Sequence, residues 1–253
     1  MTLPRTPSFR LDGRKALVTG GGRGIGLAAA VALAEAGAIP LLVARSEDQV
    51  REAAAAITAL GFEAGSAVLD VTDRDAVQRL VDEEGPFRIL VNNAGLARHA
   101  PFTEATPDQF DDVMAINTRA AFFTAQAVAN GLIHADLEGS IVNISSQMGH
   151  VGGPERAVYC ASKHALEGMT KAMAWELGKY GIRVNTLCPT FIETELTAPF
   201  LKDDFRAFVE SKIALGRVGQ VEDIMGAVTF LASDAARLVT GSALMVDGGW
   251  TAS

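Results

Sequence analysis

The chain has 253 residues, 49% of them hydrophobic and 6% aromatic, and a formal net charge of −8. That length suits one α/β domain or at most two small ones, and the apolar content supports a large aliphatic core and excludes a disordered chain. The negative charge argues against nucleic acid, anionic membrane surfaces and strongly acidic partners.

In chain order, residues 15–19 (Lys-Ala-Leu-Val-Thr) read as a short buried strand. Gly20-Gly21-Gly22-Arg23-Gly24-Ile25-Gly26 follows and runs directly into an Ala-rich helix over 24–37. A strand, a glycine loop and a helix N-terminus make a pyrophosphate site: backbone N–H groups approach the anion and the helix dipole favours it. The spacing is T-G-x-x-x-G-x-G rather than the commoner dinucleotide fingerprint G-x-G-x-x-G. Further strands are expected at 39–43, 64–69, 88–92, 140–144, 182–187 and 243–246. Helices are expected between them at 47–60, 73–84, 107–130, 157–180 and 221–233. Strand–helix alternation of this kind predicts a doubly wound α/β domain with a seven-stranded parallel sheet and helices on both faces. Ser46 with Gln49 and Thr106 with Gln109 read as capping boxes, Asp73 as an N-cap, and Gly37 and Gly61 as helix stops.

No composition shift or repeat divides the chain, so residues 1–253 are read as one dinucleotide-binding and catalytic domain. The stretch 190–215 breaks the alternation. It follows the carboxyl end of a strand, where open sheets bind ligands, and reads as a substrate lid. Cys160 and Cys188 have no metal-ligand spacing and four histidines form no cluster, so no metal is expected. Both cysteines read as small core residues, Cys160 being also a candidate neighbour of the site. Residues 1–14 show no leader pattern and no run reaches 18 apolar residues, which predicts a cytoplasmic location without membrane contact.

Tyr159 and Lys163 are four residues apart in Tyr-Cys-Ala-Ser-Lys, on one face of a helix. A cation at about 4 Å favours the phenolate by on the order of 4 kcal/mol at an effective dielectric of about 20, before desolvation is subtracted. A tyrosine so placed can exchange a proton with an alcohol or carbonyl. The spacing alone is equally that of a packing pair.

Thr19 to Gly26, Asn92-Asn93-Ala94-Gly95, Asn117, Ser146, Tyr159, Lys163 and Val246-Asp247-Gly248-Gly249 together resemble the short-chain dehydrogenase/reductase family, from about Lys15 to Trp250. The resemblance implies that Tyr159 is the general acid in reduction and the base in oxidation. Lys163 then lowers its pKa and holds the nicotinamide ribose, Ser146 hydrogen-bonds the substrate oxygen, and Asn117 kinks its helix and holds a relay water. The family spacing of thirteen residues before the tyrosine selects Ser146 over Ser145. Gly20, Gly24, Ile25 and Gly26 fall in the dinucleotide loop. Asp70 and Val71 would flank the adenine, Asn92, Ala94 and Gly95 line the dinucleotide, and Pro189, Ile192 and Thr194 reach the nicotinamide. Pro189-Thr190 departs from the usual Pro-Gly and should narrow that turn. A homotetramer built on the helices at 107–130 and 157–180 and on the last strand is also implied.

Cofactor choice follows from charge. Where NAD-selective sites carry an acid, this chain has Ala44-Arg45, and Arg23 lies in the loop. Guanidinium groups suit a 2′-phosphate, so NADP is expected, with NAD possible. The pocket candidates Arg98, His99, Gln147, His150, Glu155, Arg156, Glu193 and Thr194 are polar, which suits a small sugar, aldonate or polyol substrate; solvated loop residues with no role would read the same way. A 3-oxoacyl-[acyl-carrier-protein] reductase is the alternative. It needs a basic docking patch, and residues 120–139 contain no Lys or Arg. A non-catalytic nucleotide-binding protein is a further alternative, countered by the presence of Ser146, Tyr159 and Lys163.

Overall fold

The computed structural model describes residues 2–252. Its strands are β1 (Lys15–Thr19), β2 (Ile39–Ala44), β3 (Gly65–Val68), β4 (Ile89–Asn92), β5 (Gly139–Ile144), β6 (Ile182–Pro189) and β7 (Ala243–Val246). Its helices are α1 (Gly24–Glu35), α2 (Glu47–Ala59), α3 (Arg74–Glu84), α4 (Pro107–Met114), α5 (Ala121–His134), α6 (Ala157–Leu177), α7 (Asp203–Lys212) and α8 (Glu222–Ala232). All strand pairs are parallel, in the order β3-β2-β1-β4-β5-β6-β7.

Both sheet faces are covered, and the strands show why. Ala16 and Val18 of β1, Ile89 and Val91 of β4 and Val142 and Ile144 of β5 enter one core with residues of α1, α2 and α8. Leu17, Leu90 and Ile141, one position out of phase, enter the other core with residues of α3, α5 and α6. Period-two alternation sends successive side chains to opposite faces, and apolar residues at both phases require helices on both sides. Because the strands are parallel, their carboxyl ends share one edge. The connections from β1 and β4 diverge there, which opens the crevice used by ligands of doubly wound sheets.

The helix starts agree with expectation at Thr106, whose capping box with Gln109 is complete, and at Asp73, which accepts from the Asp75 and Ala76 amides. Gly37 and Gly61 hold the positive φ of helix-terminating turns. Ser46 has the extended backbone of an N-cap, but its hydroxyl makes no capping bond. The helix expected at 107–130 is interrupted by a π-helical turn at Ala115–Ala120 and runs on to His134. The one expected at 157–180 ends at Leu177, followed by a 3-10 turn. The stretch 190–215 is not irregular throughout. It contains α7, whose Val209 packs with Leu201, Ile213 and Val218 in a small separate core under Phe191 and Trp250.

Candidate active site

The glycine loop sits at the mouth of the crevice between β1 and β4. Gly20 and Gly24 have positive φ, and a Cβ on Gly26 would overlap the Gly20 carbonyl oxygen. Asn93 ties the loop down by donating to the carbonyls of Thr19 (3.0 Å) and Gly20 (3.1 Å). Thr19 Oγ1 in turn accepts from the amides of Asn93 and Ala94, both at 3.0 Å. These bonds join the ends of β1 and β4. Asn93 and the Thr19 hydroxyl are the supports that sequence reading missed; only their place inside the recognised motifs signalled them.

Gly24 faces Thr194, whose methyl would be 3.4 Å from an added Cβ. Ile25, Val71 and Ala94 are half-buried. Ile192 is buried and bridges to Gly219, while Pro189 closes β6. The Thr190 hydroxyl is buried without a hydrogen-bond partner, as is Gln147 Oε1. A tight glycine cradle with two unsatisfied buried oxygens nearby fits a bound polar molecule such as a dinucleotide. Arg23 and Arg45 are exposed and make no ion pair among the described residues. Asp70 accepts from the Thr72 amide and hydroxyl, and these bonds, with help from the Arg45 charge, hold its carboxyl below the usual range.

Asn92 takes a different place from the one expected. Its side chain is buried and donates to Ala121 O and Asn143 Oδ1, each at 3.0 Å. Asn143 continues to Thr170 Oγ1 at 2.8 Å. The Asn92 amide is therefore spent inside the sheet. Asn117, on the π-helical turn, is paired in full: its Oδ1 accepts from the Leu96 amide at 2.7 Å, and its Nδ2 donates to Leu96 O and Ser162 Oγ. The extra residue of a π turn aims it across to α6.

Tyr159 and Lys163 lie on the first turns of α6. The Lys163 ammonium is buried, 5.7 Å from the Tyr159 ring centre, and donates to Ile144 O at 2.8 Å. Gly95 leaves room beside it: a Cβ there would stand 4.0 Å from Nζ and 3.4 Å from Asn117 Oδ1. Burial pushes Lys163 down to about 8, against the smaller upward pull of Cys188 and Glu167. Burial likewise raises the Tyr159 phenol above its ordinary value, while a hydrogen bond from Ser146 and the Arg156 charge pull it back down. This corrects the expectation that Lys163 lowers the phenol: the net shift is upward, and the charge that opposes it is that of Arg156. In the free chain desolvation outweighs the neighbouring charges.

The Lys163 shift has a consequence for stability. Below pH about 8 the ammonium is charged in both the folded and unfolded chain, and its full burial penalty is present. Between about 8 and 10.5 the folded chain has released the proton and the unfolded chain has not, so stability rises with pH there. A shift of this size corresponds to roughly 3 kcal/mol. Lys163→Met, which also loses the Ile144 bond, is expected to stabilise the free protein by about 1–2 kcal/mol at pH 7 in urea unfolding while removing turnover. A loss of stability at pH 7 would contradict the assigned burial cost.

Among the proposed substrate contacts, Ser146 faces the phenol, and its Oγ also accepts from the Met148 amide. Ser145 points elsewhere, with its hydroxyl buried and without a partner. His150 and Glu193 are not free. His150 Nε2 lies 3.4 Å from Glu167 and 3.5 Å from the buried Cys188, in a trio whose third side is the Cys188–Glu167 contact at 3.2 Å. Burial pushes the Cys188 thiol up to about 12, so it stays protonated and serves as a donor. Glu193 is held by Arg206 of α7 and by Gln220. Gln147 is buried with its oxygen unpaired.

A family model described as enoyl-(acyl carrier protein) reductase matches residues 20–251. Gluconate 5-dehydrogenase of Gluconobacter oxydans is 42% identical over 97% of both chains. D-erythrulose reductase of Gallus gallus is 40% identical over 98% of this chain and 99% of its own. The crystal structure of a gluconate 5-dehydrogenase from Burkholderia cenocepacia in complex with NADP and tartrate superposes with a TM-score of 0.92 at 41% identity, covering 97% of this chain and 98% of that one. With the family model spanning nearly the whole length and the sheet order, glycine loop and Tyr159–Lys163 pair in place, the chain belongs to the short-chain dehydrogenase/reductase family.

Proposed function

We propose that this oxidoreductase transfers a hydride between NADP(H) and a small polyhydroxy substrate of sugar, aldonate or polyol type. The observation that carries the reading is the meeting of Tyr159, Ser146 and Lys163 beside Gly95, at the sheet edge that also bears the glycine cradle. Similarity to gluconate, erythrulose and xylulose enzymes supports the substrate class. The dinucleotide supplies the hydride donor or acceptor, with a positive ring in its oxidised form. Gly20 to Gly26 would hold its pyrophosphate, and Lys163 its ribose at the reacting end.

The chain's own residues do the rest. Tyr159 Oη gives its proton to the carbonyl oxygen in reduction and takes it back in oxidation. Ser146 Oγ donates to the same oxygen, stabilising the alkoxide character that develops there. Lys163, fixed by Ile144 O, keeps a positive charge beside the phenol at neutral pH. Asn117 holds the Leu96 backbone, in the loop after β4, against Ser162 of α6, so it shapes the wall between Gly95 and Lys163. Residues 190–215 act as a lid braced internally by the Glu193–Arg206 pair and tied to the body by the Gln220–Glu193 hydrogen bond.

Arg45 and Arg23 would bind the 2′-phosphate, since neither has an internal partner. Arg45→Ala is expected to raise the Kd for NADP+ about ten- to a hundredfold, the worth of one or two hydrogen bonds to a charged group. It should leave the Kd for NAD+ within about threefold. Fluorescence titration decides, and equal loss for both would contradict the assignment.

A 3-oxoacyl-[acyl-carrier-protein] reductase is disfavoured because residues 120–139 offer no cation for an acidic carrier. The test is a turnover screen with NADP+ on aldonates and polyols and with NADPH on ketoses and acetoacetyl thioesters. Turnover confined to thioesters overturns the substrate class. We also infer a homotetramer, supported by Phe122 on α5 and the 89% exposed Trp175 on α6; a monomer mass by light scattering would exclude it. No helix among the described residues is long and apolar enough to cross a membrane, which supports a cytoplasmic location, to be tested by fractionation.

A further inference from the structure

One cation at the crevice enters the hydride transfer described above only through its charge, which lowers the Tyr159 phenol. Arg156 stands at the start of α6, three residues before Tyr159 and so about one turn from it. Its Nη1 lies 3.0 Å from His99 Nε2, and its Cζ lies 5.3 Å from the centre of the Phe191 ring. His99 follows β4 and Phe191 follows β6, so the guanidinium bridges the two rims of the crevice. The His99 ring is itself edge-on to Tyr159, with centres 6.5 Å apart.

Away from Arg23 and Arg45 of the proposed dinucleotide end, three other arginines have acids. Arg98 pairs with Asp112, Arg206 with Glu193 and Glu210, and Arg217 with Asp223. Arg156 pairs with none among the described residues. Glu155 contributes at a distance only; its side chain is exposed and makes no ion pair with Arg156. The imidazole cannot neutralise the guanidinium either. Burial and the arginine charge both hold His99 below its ordinary value, so it is neutral at pH 7. Nη1 also lies 3.4 Å from Nδ1, so the guanidinium donates to whichever ring nitrogen is unprotonated and the other carries the ring proton. A half-buried, permanently charged fork with no counter-ion, next to a second neutral donor, is an anion site waiting for a carboxylate.

Resting on the polyhydroxy reading above, we propose that Arg156 and His99 form a carboxylate subsite, so that the chain selects sugar acids over neutral polyols of the same length. The subsite lies about one helical turn from the phenol that handles the reacting oxygen. An aldonate would thus be held at its charged end by Arg156 and at a carbinol further along by Tyr159 and Ser146. Phe191 and His99 fix the guanidinium plane, so less orientation is lost when the acid binds.

The test is oxidation of D-gluconate and D-sorbitol with NADP+ by the wild-type chain, Arg156→Gln and Arg156→Lys. The expected wild-type kcat/KM favours gluconate at least tenfold. Arg156→Gln should raise KM for gluconate about ten- to a hundredfold and leave KM for sorbitol within about threefold; because the Arg156 charge also lowers the Tyr159 phenol, any change in kcat should be shared by both substrates. Arg156→Lys should recover part of the gluconate KM. Sorbitol preferred by the wild type, or an equal rise in KM on both substrates in Arg156→Gln, overturns the subsite and leaves the polyhydroxy reading standing. If neither substrate class is turned over, both readings fall.

Discussion

Tyr159→Phe is expected to lower kcat by about 10²- to 10⁴-fold, the usual worth of a positioned general acid or base. It should leave the Kd for NADP+ within about threefold. The phenol oxygen is the group removed, while the ring keeps its packing. Lys163 is held by Ile144 O rather than by the phenol, so the substitution does not release the ammonium. A simple structural role predicts something else: loss of cofactor affinity and of thermal stability together. The two are separated by measuring kcat and fluorescence-detected dinucleotide binding on the same preparation. Retained turnover would remove Tyr159 from the mechanism.

Gly26→Ala is expected to act before any chemistry. The added methyl has no space, because the Gly20 carbonyl and the Asn93 amide that holds it occupy the same volume. The carbonyl is backbone, and the Asn93 side-chain amide is pinned by its bonds to Thr19 O and Gly20 O. The loop or α1 must move, and overpacking of this kind costs about 1–3 kcal/mol. Because the displaced atoms form the proposed pyrophosphate cradle, affinity for NADP+ and NAD+ should fall together by at least about tenfold, unlike the selective loss expected for Arg45→Ala. Circular dichroism melting and binding titrations check both parts. Unchanged affinity for both dinucleotides would place the cradle elsewhere.

Much of this architecture was legible in the sequence because its signals are local. β1 and β7 coincide with the expected strands, since a short apolar run between turn residues leaves little freedom in its ends. Thr106 and Asp73 cap as their spacing implies. What escaped was set by distant partners. Asn92 looked like a dinucleotide contact until Asn143, on the neighbouring strand, was seen to hold its amide. His150 and Glu193 looked free because Glu167, Cys188, Arg206 and Gln220 are remote in sequence. α7 was hidden because its apolar face, around Val209, meets a small core of its own rather than the sheet. The acidity of Tyr159 was overstated for a physical reason. Spacing along a helix reports which charges are near but not how much water has been removed, and here burial raises the phenol despite its cationic neighbours.

In the proposed mechanism Tyr159 exchanges the proton, and the charge favouring its phenolate would be completed by the positive ring of a bound oxidised dinucleotide. The chain has two tyrosines, so Tyr180→Phe leaves Tyr159 as the sole phenol. Its phenolate can be titrated by absorbance near 295 nm with and without NADP+. Without dinucleotide the midpoint should lie above about 10, the ordinary value for tyrosine. With NADP+ it should fall and coincide with the pKa at which kcat for alcohol oxidation rises. A midpoint that stays above about 10 with NADP+ bound, while oxidation proceeds at neutral pH, would contradict the assignment of Tyr159 as the proton-transferring group.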